Sequence, residues 1–413
     1  MKSDLDRLMK AQNLDALLIT GPTLHNPFMV YFTGTAHITS ADLVKRAGEE
    51  PVLFFPSMER EEAARTGLKT IGYSKYPMAD FLKLTQNDIY QAMVLRYERM
   101  LADAGVTEGR VAVYGVKEIG EMFSLLNSLQ ELNPALQFIG YQTQDVLLQA
   151  MATKSEAELA HIHAMGEITV GVVDRVKHYL ADHRVVDEVL FKDDGTPLTI
   201  GEVKAKINLW LAEAGAENPE ATIFAIGRDG GVPHSTGTAT DVLRLGSPIV
   251  FDIFPCEAGG GYFYDFTRTW CLGYAPDDVK ALYQNVREVY ETVVSELRQN
   301  CLFKTYQART CELFQAQGHP TIQEKPGTEE GYVHSLGHGV GLHIHEQPFS
   351  GMLAGETEIL APGSVFTIEP GLYYPERGMG IRLEDTYYVD QNGNMQCFVP
   401  YSLDLVVEMK HMA

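Results

Sequence analysis

A chain of 413 residues is long enough for two or three domains, and its 45% hydrophobic content suits folded cores rather than disorder. A net charge of −22 excludes nucleic acid and acidic membrane surfaces from the expected partners, because both select basic patches. The five cysteines (Cys256, Cys271, Cys301, Cys311, Cys397) show no C-x-x-C spacing, which argues against a disulfide framework and a thiolate zinc site. No apolar run approaches the ~20 residues that span a bilayer. Residues 1–20 lack a signal-peptide core, so a cytoplasmic protein is expected.

Residues 1–150 alternate helix and strand. Leu5 to Gln12 reads as a helix and Asp15 to Thr20 as a short apolar strand. Pro51 to Phe55 is a second strand, followed by a charged helix around Glu59 to Ala64. Arg110 to Tyr114 is a third, followed by a helix from Glu118 to Leu132. This is the pattern of an α/β domain, and it holds no phosphate loop and no nucleophile elbow.

Residues 151–413 form a second block. Ser155 and Glu158 make a capping box. Leu159, Ile162, Met165, Ile168, Val172, Val176 and Leu180 then recur at the spacing of a long amphipathic helix. Thr199 and Glu202 repeat the capping signal before Val203, Ile207 and Trp210. Glycine-punctuated strands follow from Ala221, helices return at Val279 to Leu297 and Thr305 to Gln317, and strands fill 331–408. The block reads as two similar halves of helices plus hairpins, an α+β arrangement.

Ile249 to Phe254 and Tyr262 to Trp270 read as strands separated by Gly259, Gly260 and Gly261. A fold-back between Ala258 and Gly259 sets Asp252 opposite Asp265. Ser364 to Leu372 and Met379 to Tyr388 repeat the construction, and a fold-back between Glu376 and Arg377 sets Glu369 opposite Glu384. Buried carboxylates must be paired, protonated or metal-bound, and two divalent cations would offset four negative charges. Arg382 and Arg268, two residues from Glu384 and three from Asp265 in the same strands, read as salt-bridge partners.

Four of the thirteen histidines fall in Gly331 to Glu346: His334, His338, His343 and His345. Gly337, Gly339 and Gly341 disfavour a continuous helix there and let backbones approach closely. Imidazole serves as a metal ligand and as a proton shuttle, so one histidine is expected to complete a metal site and others to face a substrate. His234 stands apart, and the residues around it assign it no role.

Taken in order, GGVPH, VFDIFP…GYFYDFTRT, HSLGHGVGLHIHE, FTIEPGLYY and GIRLED resemble the signature blocks of the pita-bread metallopeptidases. That family includes aminopeptidase P, prolidase, methionine aminopeptidase and the metal-free creatinase. The likeness covers roughly residues 153–413, and NPFMVYFTG at Asn26 to Gly34 resembles the creatinase-like N-domain of the aminopeptidase P and prolidase branch. It implies a pita-bread catalytic domain over 151–413 and a creatinase-like α/β domain over 1–150. The metal ligands it implies are Asp252, Asp265, His338, Glu369 and Glu384, with His234, His334 and His345 as accessory histidines and Glu369 also as proton shuttle. The loop between the two aspartates is longer than in the commonest pattern of the family.

The resemblance implies a two-metal hydrolase of peptides. Four carboxylates and one imidazole form a mostly hard-oxygen set, which suits Mn(II), with Co, Fe or Zn able to substitute. The resemblance also implies a homodimer. An Xaa-Pro aminopeptidase is the expected activity and an Xaa-Pro dipeptidase (prolidase) the alternative. A non-catalytic binding module on this fold is disfavoured by the complete ligand set. The ordering of the first two rests on Phe349, which follows His345-Glu346-Gln347-Pro348 where several prolidases are expected to carry an arginine for the substrate carboxylate.

Overall fold

The computed structural model describes residues 2–140 and 145–412. Met1, residues 141–144 and Ala413 fall inside the expected domain ranges but lie outside the described residues. The chain divides into two compact units. One holds the residues up to Met151 together with Ala258–Gly261, and the other holds Ala152–Glu257 and the chain from Tyr262 onward. No helix among the described residues is long and apolar enough to cross a membrane.

The N-terminal unit is built on a six-stranded mixed sheet. Its order is Lys69–Gly72, Val52–Phe55, Ala41–Arg46, Ala16–Gly21, Gly109–Gly115, Leu136–Ile139. Ala16–Gly21 lies in the interior of the sheet, antiparallel to Ala41–Arg46 and parallel to Gly109–Gly115, and all of its residues are buried. A strand covered on both faces has no polar side, which is why DALLIT reads as a continuous apolar run. The helices Leu5–Ala11, Arg60–Arg65 and Ile119–Leu132 lie where the sequence places them. Ala41–Arg46 and Leu136–Ile139 are additions to the sequence reading, and so is Lys69–Gly72. It is a half-exposed edge strand of mixed polarity, so it carries no period-two signal.

The second unit contains two helix pairs, each with its own core. Glu156–Ala181 and Ile200–Glu213 both start with capping boxes, from Ser155 with Glu158 and from Thr199 with Glu202. Their apolar faces join a cluster that includes Ile162, Val173, Ile207, Phe251, Phe266 and Trp270. Asp277–Glu296 and Phe303–Ala316 cover a second cluster with Val286, Val293, Phe314, Phe366, Ile368 and Leu383. Beneath the first pair lies a sheet of order Ile223–Ile226, Pro248–Ile253, Phe266–Leu272, Val406–Val407. The other half supplies Val365–Ile368 paired with Asp385–Val389, and the hairpin Gly371–Tyr374 with Met379–Arg382.

One expected pairing is corrected. Asp252 lies opposite Thr267, not Asp265. The chain turns between Gly259 and Gly260, whose φ angles of 88° and 76° favour glycine, one residue later than expected. Moving a turn centre by one residue moves the pairing by two, and a slip of two keeps every side chain on its own face. Asp252 and Asp265 therefore remain on one face as diagonal neighbours. In the second hairpin the expected frame holds on both sides of the acids, with Ile368 opposite Asp385 and Gly371 opposite Arg382. Between those ladders Glu384 leaves its partner strand and bridges to Thr267 of the other half.

Candidate active site

The bridge between Thr267 and Glu384 joins the two halves where their acids lie. The Glu384 N–H donates to the Thr267 carbonyl (3.1 Å), and the Thr267 hydroxyl donates to Glu384 Oε2 (2.6 Å). The histidine segment runs alongside. The Thr367 N–H donates to the His338 carbonyl and the Glu369 N–H to the Leu336 carbonyl, both at 2.8 Å. This close approach requires glycine, since a Cβ at Gly337 would run into the Thr367 carbonyl and one at Gly339 into that of Gln347.

A cavity of about 540 Å³ opens over this junction. All five expected ligands and His234, His334 and His345 line it, together with Glu220, Ile223, Phe254, Ile344, Phe349 and Arg382. A larger open groove, bordered by Lys177, Lys280, Arg287 and Lys410, carries no group of metal-binding geometry among the described residues.

Asp265, His338 and Glu384 each offer a ligand atom within 4.8 Å of the others. His338 Nε2 lies 3.5 Å from Asp265 Oδ2 and 3.5 Å from Glu369 Oε1. His338 Nδ1 lies 3.1 Å from the Gly339 carbonyl, which can only accept, so the proton is on Nδ1 and the lone pair of Nε2 faces the acids. Burial and the neighbouring His345 hold His338 down to about 3, so the ring is neutral. Asp252 is held by Arg382, whose Nη2 donates to Oδ2 at 2.5 Å.

One oxygen each of Asp252, Asp265 and Glu384 is buried without a hydrogen-bond partner. Unpartnered buried carboxylate oxygens are costly unless a cation meets them. Burial pushes Asp265 and Glu384 well above the usual carboxylate range, and the neighbouring acids add to the shift. Glu369 is pushed up to about 8 by burial, against the pull of Arg382 and with the push of Asp252. Orphaned hard oxygens, a neutral imidazole with its lone pair turned inward and an excess of negative charge fit divalent cations.

The remaining histidines differ in what they touch. The ring of His345 packs against that of His338, with centroids 4.3 Å apart. His345 and His234 are exposed on the cavity wall. His334 has both ring nitrogens engaged. Nδ1 donates to the Ser335 carbonyl (2.7 Å), and the Tyr373 hydroxyl donates to Nε2 (2.9 Å) while accepting from Arg382 Nη1 at 2.6 Å. Arg268 is the plain salt bridge that the sequence suggested, 2.8 Å from Asp385 and away from the cavity lining.

Sequence reasoning missed Tyr373, Thr267 and Glu220. The first two were within reach of the period-two rule. Tyr373 is four residues from Glu369, and Thr267 two from Asp265, which places each on the face of its acid. Glu220 precedes the strand Ile223–Ile226 and has no such signal.

Residues 160–391 match the model of metallopeptidase family M24, and residues 2–143 match the Creatinase/Prolidase N-terminal domain. An Xaa-Pro dipeptidase of Pyrococcus furiosus is 27% identical over 398 residues, covering 95% of this chain and 97% of its own. Among solved structures, a dipeptidase from Pyrococcus horikoshii superposes with a TM-score of 0.74 at 20% identity, over 98% of this chain and 99% of its own. An X-Pro aminopeptidase from Thermotoga maritima gives 0.74 at 21%, over 97% and 100%. At those identities the structures speak for the fold alone. With the family model spanning more than half of the chain and the acid and histidine junction beneath it, the chain is a member of metallopeptidase family M24, a hydrolase of the pita-bread fold whose family works with divalent metal ions.

Proposed function

We propose that this chain is an Xaa-Pro dipeptidase whose metals are held by Asp252, Asp265, His338, Glu369 and Glu384. The carrying observation is the full-length likeness to the Pyrococcus furiosus Xaa-Pro dipeptidase, together with the orphaned carboxylate oxygens of three acids that line one cavity. This reverses the order suggested by sequence alone, which put the aminopeptidase first. Phe349 on the cavity wall is the one observation that favours an aminopeptidase, since a phenylalanine offers nothing to a substrate carboxylate.

Two divalent cations, when bound, would polarise the scissile carbonyl and make a water acidic near pH 7. Mn(II) suits the oxygen-rich donor set best. The chain supplies the rest. Glu369 accepts a proton from the attacking water and passes it to the leaving proline nitrogen. His345 and His234 donate to the oxygen on which negative charge develops. Arg382 fixes Asp252 and, through Tyr373, the ring of His334. Ile344 and Phe349 on the cavity wall give the proline ring an apolar surface.

The deciding experiment compares kcat/KM for Ala-Pro, Ala-Pro amide and Ala-Pro-Ala at equal metal loading. A dipeptidase cuts Ala-Pro best and loses activity on amidation. Equal or better cutting of Ala-Pro-Ala promotes the aminopeptidase.

A further inference from the structure

Of the five acids that line the cavity, Asp252, Asp265 and Glu384 are buried, Glu369 is partly buried, and Glu220 is exposed at its rim. Glu220 sits in the turn before Ile223–Ile226, and Ile223 is the cross-strand partner of Asp252. The turn is pinned. The Asn218 amide donates to Asn208 Oδ1 (2.8 Å) and to the Thr222 hydroxyl (2.9 Å). Ala221 takes a φ of 65°, a left-handed conformation that a residue with a Cβ rarely adopts and that persists only where its surroundings enforce it. Glu220 lies near enough to His345 for its charge to act on that ring. No ion pair ties Glu220 to a cation among the described residues.

We infer that Glu220 is a specificity-determining residue that selects substrates with a basic first residue, lysine or arginine, ahead of proline. This rests on the Xaa-Pro reading above. Lysine and arginine carry an apolar stem and a charged head, and both halves are matched here. Ile223, three residues on from Glu220, and Phe254 offer apolar wall to the stem, and Glu220 offers a carboxylate at the water-facing rim to the head. An acidic first residue meets the same carboxylate as a like charge and is disfavoured. The group lies at the rim, so its effect is modest and screened by salt.

The test uses the metal-loaded protein and its Glu220→Gln variant on Lys-Pro, norleucyl-Pro and Glu-Pro. Norleucine has the lysine stem without the charge. The wild type is expected to favour Lys-Pro over norleucyl-Pro by about fivefold, the scale of one exposed ion pair, and to disfavour Glu-Pro. High salt should shrink the preference. Glu220→Gln should erase it while norleucyl-Pro turnover and metal content stay unchanged. A missing preference, a preference that survives in Glu220→Gln, or an equal fall for all three substrates overturns the inference. Good cutting of norleucyl-Pro without preference for Lys-Pro overturns this inference alone. If the metal-loaded wild type cuts no Xaa-Pro substrate at all, the Xaa-Pro reading fails and takes this inference with it.

Discussion

The ammonium of Lys154 and the carboxylate of Glu346 meet inside the second unit, where the two residues are only 1% and 2% exposed. Lys154 sits just before the capping box of the long helix Glu156–Ala181, and its N–H donates to the Gly363 carbonyl at 2.8 Å. Glu346 exchanges two backbone hydrogen bonds with Gly339, each 2.9 Å, and its side chain receives the His343 N–H at 3.3 Å. The pair therefore ties the loop that carries His338 and His345 to the start of that helix. Removing one partner leaves a buried charge alone, which typically costs about 3–5 kcal/mol, whereas replacing both with apolar residues is often close to neutral. Lys154→Met and Glu346→Met are each expected to lower stability by that amount, and the double variant to recover most of it. Chemical denaturation of all four proteins gives the coupling. Single variants within about 1 kcal/mol of wild type would show the pair to be idle.

Metal occupancy separates the ligands from their neighbours. Asp265→Ala and Glu384→Ala should lose metal, because both acids offer atoms to the same tight group as His338. Elemental analysis of reconstituted protein should find about two ions per chain. His338→Ala should also lose metal. His345→Ala and His234→Ala should keep it while turnover falls by ~10²–10³, the usual effect of removing one donor to a developing oxyanion. A His345→Ala protein depleted of metal would move that residue into the ligand set.

Protonation gives an independent check. Without cations, burial pushes Glu369 up to about 8 and holds Asp265 and Glu384 well above the usual range. Such groups bind more protons folded than unfolded, so their stabilising protons are in place below the unfolded value and are lost as pH rises through the folded one. The metal-free protein should therefore become less stable from about pH 5 to pH 8. Loading cations at pH 7 should release protons, and affinity should climb with pH until about 8, because ligands must be deprotonated. His338 is already neutral throughout this window and contributes no proton. Calorimetry in buffers of different ionisation enthalpy measures the release, and none at pH 7 would contradict the burial argument.

Much of this site is legible in the sequence because strand parity is robust. Asp252, Asp265, Glu369 and Glu384 fall on cavity-facing positions of their strands whether or not the register is known in detail. Three consecutive glycines at 259–261 leave the turn centre open, and that is where the expected pairing of Asp252 with Asp265 slipped by two. The glycines between the histidines announce a crowded backbone but not its partner, the Thr367 to Glu369 strand, which is distant in sequence. Glu220 was out of reach, since an irregular turn with Ala221 in a left-handed conformation brings it to the rim. In the N-terminal unit three of the four interior strands announced themselves as apolar runs, whereas the interior Ala41–Arg46, which ends in Lys45 and Arg46, and the edge strands Lys69–Gly72 and Leu136–Ile139 did not.

The last prediction turns on Phe349, 39% exposed and on the cavity wall. The one arginine on that wall among the described residues, Arg382, is committed to Asp252, Thr267 and Tyr373. No lysine and no second arginine lines the cavity among the described residues. A dipeptide's C-terminal carboxylate therefore finds histidine donors and backbone there but no free guanidinium. Phe349→Arg would place one on the wall. The Phe349 N–H is already held by Glu358 Oε2 at 2.9 Å, so the backbone has an anchor independent of the ring. The variant is expected to raise kcat/KM for Ala-Pro relative to Ala-Pro amide by about tenfold or more, the scale of one hydrogen bond to a charged group. Metal content should stay near wild type, and the ratio cancels any loss of apolar wall that the two substrates share. An unchanged ratio would mean that the substrate carboxylate lies elsewhere. A wild-type ratio already far above one would mean that the protein holds that carboxylate without an arginine at this position.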